Sequence, residues 1–571
     1  MFWIGLALAT GDYDPTSPVA VYTGEQTFTQ DGSIKLWGQI ELHQDADRSL
    51  FEQEQFNDVT EWPVESPWAP WIADCFGDQQ PHSSAFLLHV GPSELLSSGT
   101  PILMVPGAGD NGSRGFITLA TKMDQAQRPV YVLTFAHPHG DVLMQAEVVA
   151  NAIARIKERR GVEQVDVVAH SKGGIAASVY TSNTGSGWGR PAYHQVGTPY
   201  RGDVRRLVLV ASPLGGIDTS YRWPSANILL LDAETAMAPS SWATYFPYTT
   251  ANQFVTTSLQ DQDFLPDEGD LFPGHRQLLK RQDPPLPGSL SWLGTQAVQL
   301  DWYTSYEGGY GYWSYSDGID AAIDAGDNLL NKLANHGVDP DIELYLLAGE
   351  NPLLHNGAEY QMGETFGEAF VDMATSGVDA WGELLVYAAQ EGALATDVAP
   401  DELRGLAQGK LVLGEISGPS DGLVFIESAT KKSALTKRGA VVQEVKIVDL
   451  AHLDLLYASP ITGQILIDAG NSDPSEHGWM RAVGERYVEA DTLGWMQGVL
   501  ADPEVPDTGD TGEIEDPWVD TADTADTGDS GDNSLDKDGG LFERNCDGCG
   551  GGPVGGWFAL LGLALLRRRK I

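Results

Sequence analysis

The chain has little cysteine and little positive charge, and it lacks an apolar run of comfortable membrane-spanning length. Three cysteines occur in 571 residues, a count that excludes a disulfide-built scaffold. Cys75 stands alone, and Cys546 and Cys549 form a C-x-x-C whose nearest histidine is His477. A zinc site needs further ligands close by, so no metal is expected there. Lys and Arg total 34 against 80 Asp and Glu, a net charge of -46. Such a surface repels a phosphate backbone and excludes nucleic-acid binding through a basic face.

What is present is enough for a large core. Apolar residues make up 42% and aromatics 9% of the sequence. The length suits two to four domains, or one large α/β domain with insertions. Residues 501–571 carry 16 acidic and 6 basic side chains, a net of -10, which leaves -36 on residues 1–500. The body is therefore acidic in its own right, and a neutral substrate suits it better than a polyanion.

The two ends point outward from the cytoplasm. FWIGLAL at 2–8 is apolar, and Ala7-Leu8-Ala9 has the small-residue pattern of a signal-peptidase site, without a basic start. Residues 1–10 are expected to be a truncated signal peptide, with a first strand as the alternative reading. From Ala501 the Asp-Thr-Gly and Asp-Thr-Ala units are dense in like charge, so 501–545 should be a disordered acidic spacer. A calcium loop would need an EF-hand glycine and closing Glu, which the spacing does not provide. In 546–571 an apolar run, Pro553–Leu566, is shorter than the ~20 residues of a full span. Arg567, Arg568, Arg569 and Lys570 then form a cytoplasmic stop. Cysteine and glycines, a short apolar helix and an arginine cluster resemble the C-terminal sorting tags of myxobacterial surface proteins. That resemblance implies a membrane-held helix, a sorting protease and a body displayed at the cell surface. A plain membrane anchor would also place residues 11–500 outside the cytoplasm.

From about residue 99 short apolar runs alternate with helical stretches, as in a parallel sheet with crossover helices. PILMVPG (101–107) and PVYVLTFA (129–136) read as buried strands. DVLMQAEVVANAIARIKERRG (141–161) has helical apolar spacing, basic residues at its end and a closing glycine. QVDVVAHSKGGIAASVY (164–180) passes from a β-branched strand to a small-residue helix within a few positions. Ser171 stands at that junction, with small residues two before and two after it, Ala169 and Gly173. A serine in such a turn is exposed over a helix N-terminus, which favours negative charge.

This stretch resembles the nucleophile elbow of α/β-hydrolases, especially bacterial lipases whose elbow begins Ala-His-Ser, with alanine replacing the first glycine of G-x-S-x-G. The resemblance implies Ser171 as nucleophile and an oxyanion hole from the backbone N–H groups of Lys172 and of Ala108, which follows Val105-Pro106-Gly107. It also implies the chain order Ser, acid, His. SGPSDGLVFIESA (417–429) resembles the acid loop and makes Asp421 the preferred acid, ahead of Glu350 and Asp218. The strand before that loop is either ELYLLAG (343–349) or KLVLGEI (410–416). EVKIVDLAHLDLLYA (444–458) ends a β-branched strand near His452, the expected base. The side chain of His170 is expected to point away from the site. His137 and His139 are better read as loop residues than as pocket lining.

The implied architecture is an α/β-hydrolase fold, a mostly parallel sheet flanked by helices with a large aromatic cap. Residues 11–98 form an N-terminal extension and leading strands. The core spans 99–216 and 341–500, with 350–409 inserted, and the cap spans 217–340. Pro213 and Leu214 border the implied pocket, and Tyr310 and Trp313 belong to its lid candidate, YEGGYGYWSYSDG. The expected function is an exported lipase or carboxylesterase needing no cofactor and acting on an ester or lipid-like molecule. The same triad would serve an acyltransferase or amidase, and a non-catalytic surface binding protein could use the same scaffold.

Overall fold

Strict alternation of side chains along the strands builds a sheet with two buried faces. The computed structural model describes residues 14–45, 75–183, 199–217, 248–255, 273–280, 323–354, 411–412, 419–474 and 478–502, short breaks apart. The main sheet contains β1 (Ala20–Thr23), β2 (Gln39–His43), β3 (Phe86–Val90), β4 (Ile102–Val105), β5 (Val130–Phe135), β6 (Val165–His170), β7 (Val204–Val210), β8 (Glu343–Gly349) and β9 (Val441–Val448). Their spatial order is β1-β2-β3-β5-β4-β6-β7-β8-β9. The pairs β1/β2, β2/β3 and β3/β5 are antiparallel. The remaining pairs are parallel. From β2 onward this is the α/β-hydrolase order, with the second strand antiparallel and the third and fourth exchanged. The mostly parallel sheet with flanking helices expected from the elbow is therefore observed.

The flanking helices are α1 (Ile117–Gln125), α2 (Val142–Arg160), α3 (Lys172–Thr181), α4 (Leu329–His336), α5 (Pro460–Ser472), α6 (Trp479–Ala490) and α7 (Thr492–Val499). Ile102, Met104, Val132, Val168, Val208 and Leu347 enter one core with Leu119, Met480 and Met496. Leu103, Val105, Leu133, Val167, Ala169 and Leu346 enter the other with Ile153, Ile175 and Leu330. Period-two strands thus divide their side chains between two helical layers. Fully burying each aliphatic side chain contributes about 1.5–3 kcal/mol. The predicted helix 141–161 is α2, whose N-terminus Asp141 caps through Leu143 and Met144 N–H groups.

Within 217–340, Leu278 and the α4 residues Leu329, Leu330 and Leu333 are buried in the second core. Their apolar spacing at 329, 330 and 333 is that of a core-facing helix stripe. Of the two strands offered before the acid loop, ELYLLAG enters the sheet as β8, while Leu411–Val412 pairs with Leu353–Leu354 outside it. Within the leading strands expected in 11–98, Gln39–His43 joins the sheet and Gly32–Ile34 pairs with Gln26–Thr29. The signal segment 1–10, the spacer 503–545, segment 546–571, Asp218, Tyr310 and Trp313 lie outside the described residues. Among the described residues no helix is long and apolar enough to cross a membrane.

The end of the sheet where the parallel strands begin is pinned by charge. Asp166 on β6 accepts from Arg205 Nε at 2.8 Å and Nη2 at 2.5 Å, with Arg128 at 3.4 Å. Buried Glu41 on β2 meets Arg155 and Arg159 of α2, each at 2.7 Å. Burial alone would raise the Glu41 carboxyl, but bonds from Arg155 and His43 and the charge of Arg159 hold it at about 2.

Candidate active site

Ser171 sits between the last residue of β6 and the first of α3, with φ 51° and ψ -128°. A serine held at positive φ costs about 1–3 kcal/mol, which the surrounding ladder must offset. Its N–H donates to the Val210 carbonyl at 2.8 Å, so the turn is tied to the neighbouring strand. Ser171 is half-buried, whereas His170 and Lys172 on either side are buried. Two glycines permit the close approach. A Cβ on Gly107 would lie 2.9 Å from Ser171 Cβ, and one on Gly173 would lie 2.8 Å from the Val105 carbonyl oxygen. The strand-end loop can therefore cross directly over the start of α3.

Asp421 and His452 come from loops beyond β8 and β9, 31 residues apart in sequence, and meet at 2.8 Å between Oδ2 and Nδ1. Both are buried. Asp421 Oδ1 accepts from the N–H groups of Leu423 at 3.0 Å and Val424 at 2.7 Å. The His452 N–H donates to the Asp421 carbonyl at 2.9 Å. The carboxylate is thus aimed by the backbone before it reaches the imidazole. Asp421 is the acid that meets His452, and the Glu350 N–H instead continues the ladder to the Val448 carbonyl at 2.9 Å.

The elbow and this pair are joined by His170. Its ring lies 4.6 Å from that of His452, centroid to centroid, and its Nε2 is 3.3 Å from the His452 carbonyl oxygen. The expectation that this side chain turns away is corrected here. Alternation along β6 sends His170 to the Val168 face, the face on which Leu450 and Leu455 flank His452.

Ala108 is half-buried at the start of the loop that follows β4. That loop is braced from within. Asp110 Oδ1 accepts from Asn111 N–H at 2.9 Å and Gly115 N–H at 3.2 Å. Gly112 N–H donates to Thr134 Oγ1 at 2.8 Å, and the same hydroxyl meets His89 Nε2 at 2.8 Å. Burial pushes His89 down to about 3, so it is a neutral partner.

Pro213 and Leu214 are buried, and Leu214 packs into the same core as Leu278. Their loop is stapled to the acid loop by Ser428, whose Oγ donates to the Gly216 carbonyl at 2.7 Å and accepts from Gly215 N–H at 3.1 Å. Ser428 belongs to the segment SGPSDGLVFIESA, so its place was visible although its partner was not.

A polar cluster beside the elbow escaped the sequence reading. The buried Lys172 ammonium donates to Gln145 Oε1. His139 Nδ1 meets His275 Nε2 at 3.0 Å, and Gln277 Nε2 donates to Asp141 Oδ2 at 2.6 Å. Burial, then the charge of Lys172, pushes His275 down to about 3. His139 and His275 are 136 residues apart, and no spacing signal links them. His137 and His139 are buried members of this loop. Among the described residues no three His, Cys, Asp or Glu side chains are grouped to hold a metal ion.

No protein-family model matches the chain, and no curated protein sequence matches it. Solved structures do. The mature form of Bacillus licheniformis lipase BlEst2 is 14% identical over 68% of this chain and 98% of its own, with a TM-score of 0.28. EstA from Clostridium botulinum is 11% identical over 63% and 84%, with a TM-score of 0.30. A thermostable carboxyl esterase from Bacillus coagulans is 12% identical over 47% and 76%, with a TM-score of 0.24. At such identities and scores, function is read from this chain's own residues.

Proposed function

We propose that this chain is a serine hydrolase that cleaves neutral carboxylic esters through Ser171, His452 and Asp421. The observation that carries the reading is the 2.8 Å Asp421–His452 bond, packed through His170 against a serine at positive φ on a helix N-terminus. Asp421 occupies Nδ1 and leaves Nε2 for the serine proton. Ser171 Oγ attacks the ester carbonyl as His452 accepts its proton. The oxyanion is met by the N–H groups of Ala108 and Lys172, at the positive end of α3. The alcohol leaves with the proton from His452, and water then releases the acid from the acyl-enzyme by the same route. The acidic body favours an uncharged substrate.

Hydrolysis of a short p-nitrophenyl ester by the purified chain and its Ser171→Ala variant tests this. Loss of turnover in a folded variant supports the assignment, and retained turnover defeats it. We also propose display at the cell surface, supported by the C-terminal arginine cluster and the acidic spacer. Protease treatment of intact cells should release the body; full protection would refute display.

A further inference from the structure

We propose that His170 is a positioning residue for His452, acting through a bond to the His452 carbonyl and through the face of its ring. The inference rests on the triad reading above.

The tautomer follows from the partners. Nε2 faces a carbonyl oxygen at 3.3 Å, so Nε2 carries the hydrogen and donates. Nδ1 is buried with no hydrogen-bond partner among the described residues. A Cβ at Gly107 would lie 3.1 Å from it, so the loop after β4 closes over that nitrogen. A second proton there would be buried and unpaired. Burial first, and then the charge of His452, accordingly push His170 well below the ordinary histidine range.

His170 is thus a neutral ring, tilted 46° against an imidazole that must become charged in each turnover. It does two things. The Nε2–H bond ties the loop bearing His452 to the residue before the nucleophile, so base and nucleophile move as one unit. The ring covers one side of His452 and keeps water from it. Among the described residues, the titratable side chains that directly contact His452 are Asp421 from the loop after β8 and His170 from β6.

His170→Phe keeps a ring and loses the donor; His170→Gln keeps a donor of similar reach and loses the ring. Ester hydrolysis is measured across pH for both, with thermal midpoints and with fluorophosphonate labelling of the wild type. H170F should lower kcat about tenfold with KM within about twofold. H170Q should hold kcat within about threefold while its acid limb of kcat/KM moves to higher pH, because water now reaches the imidazolium. Wild-type kcat and limb in both variants overturn the role. So do equal kcat losses that follow the thermal midpoint. If H170F does not fold, H170Q decides, and an unmoved limb overturns the proposal. A wild type that takes no label at Ser171 refutes the triad itself. Labelling together with unaffected variants removes only the role of His170.

Discussion

Strand β6 carries two buried polar residues four positions apart, Asp166 near its start and His170 at its end, and they live under opposite rules. Asp166 is matched by Arg205 and Arg128, so its charge is answered where it sits. His170 is neutral and holds one nitrogen without a partner. Glu41 at the first end is likewise met by two arginines. At the other end Ser171 is strained and half-buried, and Asp421 is aimed at a single imidazole nitrogen. One end spends its polar groups on cohesion. The other keeps geometry that serves folding poorly and suits proton transfer, as is common where sites are built on strand ends.

Substitutions should separate these ends. The largest effect is expected from the site: Ser171→Ala should lower kcat by on the order of 10^4-fold or more. Asp421→Asn should also lose about 10^4-fold, because the amide supports the wrong tautomer of His452. Neither should shift the thermal midpoint strongly, and a midpoint loss that accounts for the activity loss would contradict the division. Gly173→Ala should breach it, since the added carbon presses on the Pro106 carbonyl and then on that of Val105. Stability should fall by about 1–3 kcal/mol, with activity falling as well. Asp166→Ala should cost about 2–3 kcal/mol in urea titrations while kcat/KM stays within about twofold.

A smaller effect comes from pH. His89 and His275 fold neutral, with both rings lowered from 6.5 to about 3. The unfolded chain therefore binds their protons first, and stability is lost as pH falls from 6.5 toward 3. Each should contribute a loss of about 1 kcal/mol between pH 6.5 and about 5.5. Glu41, lowered from 4.5 to about 2, adds a further loss only below 4.5. Denaturant midpoints that stay flat from pH 7 to 5 would contradict buried neutral histidines.

Much of this was readable because it is local. Short apolar, β-branched runs such as ILMV and VDVV mark buried strands, and the strand–serine–helix junction marks the elbow. Asp421 and His452 could be nominated from the resemblance, at a turn-rich loop and after a strand end, and the bond between them is long-range. The His170 contact was misread because a residue beside the nucleophile was assigned by adjacency rather than by strand face. The cluster of Lys172, Gln145, His139 and His275 joins three distant segments, and no residue in it looks unusual alone. The core role of Leu278 and α4 was hidden inside a range whose aromatics suggested a cap.

The most direct test of the central claim is to treat the folded chain with a fluorophosphonate probe and locate the adduct by peptide mass spectrometry. Stoichiometric modification of Ser171, abolished in Asp421→Asn at short times, is predicted. A chain that remains unlabelled, or is labelled at another serine, would contradict it.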